Sequence, residues 1–158
     1  MKIWTLAVLP LLALAPSFAQ SQAQLEANKK VVMRFFNENI FANPEKIDEV
    51  LHPDYIQHNP VFQRYNEENN VKGRDGLKQF LASRAQGRGG QGKKQGPPPG
   101  ATPPMRIVTA EGDLVTVVSS RNMMDKDGKP YTAWGFDMWR VKDGKLYEHW
   151  DGATLPMQ

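Results

Sequence analysis

Residues 131–151 read YTAWGFDMWRVKDGKLYEHWD. Two aromatic-rich runs flank Lys142-Asp143-Gly144-Lys145. Asp-Gly between such runs predicts a tight hairpin turn. Pairing outward from that turn sets Val141 opposite Leu146, Trp139 opposite Glu148, and Asp137 opposite Trp150. Side chains alternate between the faces of a strand. Asp137, Trp139, Val141, Leu146, Glu148 and Trp150 are therefore expected on one face. Phe136, Met138, Arg140, Tyr147, His149 and Asp151 are expected on the other. A carboxyl group among large apolar side chains has two fates. Structural donors hold it, or it lines a pocket where desolvation readies it to take or give a proton.

Working outward from the hairpin, the preceding segment is also strand-like. Arg106–Ala110 and Leu114–Asn122 run apolar or alternate, with Glu111-Gly112-Asp113 as the turn between them. Residues 123–130, with Asp125, Asp127 and Gly128, read as a further turn region. The N-terminal half reads as helical. Leu25, Val32, Phe35, Phe36 and Ile40 recur at helical spacing over Gln22–Phe41. Asn43-Pro44 stops that helix, and Pro44 can open a short second one, Glu45–Leu51. His52-Pro53 ends the second helix. A short strand follows from Asp54, closed by Pro60. Val61–Val71 reads as a polar loop, and Gly73–Arg84, with Leu77, Phe80 and Leu81, as a third helix. Three helices followed by a strand meander argue an α+β fold.

Two segments fall outside this scheme. Residues 1–19 carry Lys2, an apolar run from Ile3 to Ala15, and Ser17-Phe18-Ala19, the pattern of a cleaved signal peptide. The expected product is an exported protein, periplasmic or secreted, whose mature domain starts at residue 20 and has no stable membrane span. Residues 86–104, QGRGGQGKKQGPPPGATPP, are expected to form a flexible Gly/Pro/Lys-rich loop. Its basic residues suggest either a solvated insertion or a lid or contact for an acidic partner.

Composition narrows the function classes. The chain has 158 residues and no cysteine, so disulfides and thiolate metal sites are excluded. Its net charge of +3 becomes +2 once Lys2 is removed, which does not suggest nucleic acid as a partner. A metal site from His58, His149 and Asp151 is disfavoured, because the expected faces disagree. No metal and no cofactor are expected.

Two motifs carry a family resemblance. They are Tyr55-Ile56-Gln57-His58-Asn59-Pro60, and Phe136-Asp137-Met138-Trp139-Arg140 with Asp143-Gly144-Lys145 and Glu148-His149-Trp150-Asp151. Together they resemble the SnoaL-like polyketide cyclases of the nuclear transport factor 2-like superfamily. The resemblance implies a cone-shaped half-barrel of curved, mostly antiparallel sheet packed on three N-terminal helices. It also implies a homodimer formed through the open sheet face. In those cyclases an aspartate at the position of Asp137 is the acid/base residue of an aldol-type reaction, paired with a histidine on the neighbouring strand. The strand from Leu114 to Met123 has no histidine; its polar residues are Ser119, Ser120, Arg121 and Asn122. His58 is the candidate to stand in from the opposite wall. The related ketosteroid isomerases have their base where this chain has Asn59, which cannot abstract a proton.

The implied function is a cofactor-independent lyase or isomerase acting on a small apolar carbonyl compound. Asp137 and His58 are its catalytic candidates. Tyr55, Asn59, Trp139 and Trp150 are expected to bind substrate. The alternative is a non-catalytic module of the same fold holding a small hydrophobic ligand.

Overall fold

The computed structural model describes residues 21–87 and 105–152. Helix α1 spans Gln22–Asn37 and is capped by Ser21, whose Oγ accepts from the Gln24 amide at 3.2 Å. It buries Val32 and Phe35 against the sheet. A 3-10 turn at Pro44–Lys46 leads into the single-turn helix α2, Ile47–Val50. Strand β1 is Leu51–Gln57, and α3 and α4 are Pro60–Asn69 and Gly73–Gly87. Strands β2 (Arg106–Glu111), β3 (Leu114–Met124), β4 (Pro130–Lys142) and β5 (Lys145–Asp151) complete the chain. The expected signal segment and most of the expected 86–104 loop lie outside the described residues.

The five strands form one curved, unclosed sheet in the order β1-β5-β4-β3-β2. Every neighbouring pair is antiparallel except β1 and β5, which run parallel. The α+β expectation therefore holds, with four helices rather than three. The extra one is α3, which occupies the stretch read as a polar loop. Asn59 caps it, its Oδ1 accepting from Val61 N at 3.0 Å and Phe62 N at 3.4 Å, and Pro60 takes the first turn. Its only fully buried side chain is Phe62, so helical periodicity is too weak to show. Phe62 packs edge-on to Phe80 of α4, at 5.4 Å between ring centroids.

Strand β1 also begins earlier than expected, at Leu51, and so contains Pro53. Proline lacks an amide donor, but β1 is the sheet edge and pairs only with β5. Gly73 at the start of α4 has φ +64°, and a Cβ there would lie 2.5 Å from the Pro53 carbonyl oxygen. Only glycine allows α4 to seat against β1 at that point.

The opening hairpin turns as the sequence predicts. Asp143 and Gly144 have φ 52° and 70°, both left-handed, and Lys142 pairs with Lys145. Beyond the turn the register departs from simple pairing. Val141 faces Leu146, but Arg140 faces Glu148, Trp139 faces His149, and Asp137 faces Asp151. Tyr147 is the extra residue of a β-bulge. One added residue moves every later side chain to the opposite face. The expected placement of Glu148 and Trp150 beside Asp137 is thus corrected. His149 and Asp151 take their place.

Candidate functional site

A cavity of about 970 Å³ opens between α1 and the concave side of the sheet. Strands β4 and β5 supply its polar floor through Asp137, His149 and Asp151. Phe35 and Phe36 of α1, with Phe41 just after it, form an aromatic wall. Arg106 of β2 and Arg121 of β3 stand on the remaining side.

Asp137 and His149 are joined in this floor. His149 Nε2 lies 3.0 Å from Asp137 Oδ1, with both side chains almost fully buried. On the other side of the ring, Gln57 Nε2 donates to His149 Nδ1 at 2.9 Å. An acceptor at Nδ1 leaves the ring proton on Nε2, so His149 donates to the carboxylate. The ring lies flat on Trp139, with centroids 3.5 Å apart and planes 5° from parallel. Trp139 is fully buried and is itself packed by Phe35 at 4.6 Å. The imidazole is therefore held beneath by stacking and at its edge by Gln57. The second Asp137 oxygen takes no hydrogen bond among the described residues, and the carboxyl lines the cavity.

Asn59 is engaged at both ends of its amide. Its Nδ2 donates to Asp151 at 3.0 and 3.3 Å while its oxygen caps α3. The Asn59–Asp151 pair, with Phe41, also borders a second cavity of about 410 Å³ beneath α3 and α4. Tyr55 is buried below the floor, and its hydroxyl has no partner among the described residues. Burial, reinforced by the charges of Asp151 and Asp137, pushes its phenol pKa well above the ordinary value. It stays a neutral phenol across the physiological range.

Of the residues singled out from sequence, Asp137 and Asn59 line the cavity directly. Trp139 and Tyr55 are packed beneath it. His58 and Trp150 lie on the convex face, stacked on each other at 5.0 Å between centroids. His58 Nε2 contacts Glu148 Oε1 at 2.8 Å, so it does not reach Asp137. The expectation that it stands in for a strand histidine is corrected: β5, on the other flank of β4, brings His149 to the carboxyl. Sequence reasoning placed His149 and Asp151 on the wrong face because the bulge has no composition of its own. One signal was available. Straight pairing buries Glu148 beside Asp137, whereas a one-residue slip replaces that carboxylate by a histidine. Among the described residues no group of three or more His, Asp or Glu side chains is arranged to hold a metal. No described helix is long and apolar enough to cross a membrane.

No curated protein matches the chain. Among solved structures, TerC co-crystallized with polyporic acid is 21% identical, with 81% of this chain and 92% of that one covered at a TM-score of 0.51. A protein from Jannaschia sp. CCS1, assigned as a SnoaL-like polyketide cyclase, is 19% identical, covering 84% and 91% at 0.51. An LEH-like epoxide hydrolase from M. tuberculosis is 16% identical, covering 81% and 83% at 0.50. At these identities the likeness is one of fold. The SnoaL-like domain family model, in contrast, matches residues 32–149, from the middle of α1 to His149. The chain belongs to the SnoaL-like domain family.

Proposed function

We propose that the protein is a cofactor-independent enzyme of the lyase or isomerase type. Its reaction is proton transfer at a carbon next to a carbonyl group. The observation that carries this reading is the buried Asp137–His149 pair facing an aromatic-walled cavity. The free oxygen of Asp137 takes the proton, and His149 holds the other oxygen in place. As the carbanion forms, its charge moves onto the carbonyl oxygen as an enolate. Reprotonation or attack on a second carbonyl then completes an isomerisation or an aldol-type closure. Gln57 suits this role because its amide can face His149 in two ways. Its oxygen, buried and unpartnered among the described residues, would accept from Nδ1–H if the ring gained a proton.

The test is hydrogen–deuterium exchange at the α-carbon of a panel of aromatic ketones, followed by NMR. Asp137→Asn should lower exchange by about 10²- to 10⁴-fold while keeping the fold. Equal exchange by wild type and variant would remove the catalytic role. A second reading, a ligand-binding module, is favoured by Asn59, whose amide is committed to Asp151 and the α3 cap. Binding without exchange would select it.

Two further parts of the proposal concern assembly and address. The protein pairs with a second copy through its convex sheet face, where Ile107 and Phe136 are 52% and 62% exposed and flank Val118 in one cross-strand row. Phe136→Asp should convert a dimer to a monomer in sedimentation velocity. Residues 1–19 direct export, which fractionation of cells expressing the full chain would test.

A further inference from the structure

Arg106 and Arg121 are the cavity residues that this proton-transfer reading leaves unused. Three other arginines have carboxylate partners: Arg34 pairs with Glu38 and Glu49, Arg74 with Asp48, and Arg140 with Asp113 and Glu148. Neither Arg106 nor Arg121 has one among the described residues. Both are directed to the concave side. The Arg106 guanidinium lies over the Phe36 ring of α1 at 5.1 Å. The Arg121 guanidinium lies 3.5 Å from the position a Gly135 Cβ would take. Gly135 and Phe36 both line the same cavity as Asp137.

Register places the two arginines together. Arg106 pairs with Ser119, and Arg121 is two residues farther along the same face of β3. Such diagonal neighbours have stems roughly 7–8 Å apart, within reach of two long side chains converging on one group. Both arginines are solvent-exposed, and an anion lying between them would relieve their mutual repulsion. Planar guanidinium forks match a carboxylate in geometry as well as charge. The pair is also set apart from the floor. Asp137 lies opposite Val117, four residues from Arg121 along β3, a backbone separation of roughly 13 Å. That spacing keeps a ligand anion clear of the Asp137 carboxylate, and it suits a fused-ring or biaryl skeleton lying along Phe35, Phe36 and Phe41.

We propose that the ligand is an aromatic carboxylate, its acid group held between Arg106 and Arg121 and its carbonyl end at Asp137. This rests on the reading of the cavity as the functional site and names the substrate class for it. The acid group orients the skeleton, so one carbon rather than its neighbours meets the free oxygen of Asp137.

The experiment titrates the full chain with anthracenecarboxylate and hydroxynaphthoate, each beside its methyl ester, using ligand fluorescence. At least one acid should bind about tenfold tighter than its ester, and the advantage should shrink as salt is raised. The double variant Arg106→Gln/Arg121→Gln should bring the acid's affinity down to that of its ester. Arg106→Lys/Arg121→Lys should keep part of it. Equal affinity for acid and ester in every pair, acid preference surviving in the glutamine variant, or no binding at all would each overturn the inference. Acid preference retained alongside undiminished exchange by Asp137→Asn would instead overturn only the catalytic reading.

Discussion

Two histidine–carboxylate pairs lie on the opposite faces of the hairpin, one within it and one formed with His58 just after β1, and they are close to identical in distance. His149 and Asp137 are 3.0 Å apart on the concave side, and His58 and Glu148 are 2.8 Å apart on the convex side. Their surroundings differ. The concave pair has side-chain exposures of 4% and 11%, a stacked tryptophan beneath and a cavity above. The convex pair has exposures of 36% and 17%, and Glu148 also accepts from Arg140, which in turn holds Asp113. Proximity of an acid and a base therefore says little. What readies a pair for chemistry is near-complete burial with one oxygen left uncommitted toward a space large enough for a substrate. On the convex face the carboxylate is saturated by two cationic or polar donors, and the result is a surface network.

The comparison can be broken most severely at the bulge. Inserting an alanine between Tyr147 and Glu148, with Tyr147 still bulged, shifts every later residue of β5 by one position. Glu148 and Trp150 would then turn into the concave side and His149 out of it. The insertion should cost several kcal/mol, about as much as burying a lone charge, and should abolish cooperative thermal unfolding or lower its midpoint steeply. An insertion variant with native stability would show that the two faces are interchangeable. Trp139→Ala comes next. It removes the stacking surface under His149 and leaves a large void, at a cost of about 3–5 kcal/mol by denaturant titration.

Smaller effects sharpen the contrast. A double-mutant cycle on Asp137 and His149 should give a coupling of about 1.5–3 kcal/mol, as for a buried hydrogen bond to a charged group. The same cycle on His58 and Glu148 should give no more than about 1 kcal/mol. Similar couplings would erase the distinction drawn from burial. Finally, Glu148 should leave a trace in acid. Burial alone would raise its pKa, but the hydrogen bonds from His58 and Arg140 outweigh it and hold the carboxyl below the ordinary glutamate value. A carboxyl depressed on folding stabilises the protein fully above its unfolded pKa, and that contribution fades as pH falls through the lower folded value. The melting-temperature gap between wild type and Glu148→Gln should close over that window. A gap that widened on acidification would contradict the assignment.

Much of the architecture was legible in local chemistry. The Asp143-Gly144 turn, the apolar spacing of α1 and the alternation of β3 and β4 each reflect forces acting over a few residues: left-handed turn preference, helical period and strand period. The same locality explains why Asp137 could be singled out, since it interrupts an apolar face within its own strand. The α3 helix was hidden because only Phe62 is fully buried on it, although Asn59-Pro60 is a helix-start signal.

Which histidine meets Asp137 was beyond local reading, because a bulge is settled by how a whole strand packs. Tyr147 and Trp150 are both aromatic, so either register presents plausible apolar residues to the core. The slip is chosen by long-range partners: Gln57 at the end of β1, parallel to β5, receives His149, Asn59 at the cap of α3 receives Asp151, and the buried Trp139 receives the imidazole. Arg106 and Arg121 were likewise ordinary strand residues until the β2–β3 register set them side by side above an aromatic wall. Side-chain period and turn type act along the chain and can be read from it. The pairing of charges across strands depends on register and curvature, which arise only when the sheet closes over α1.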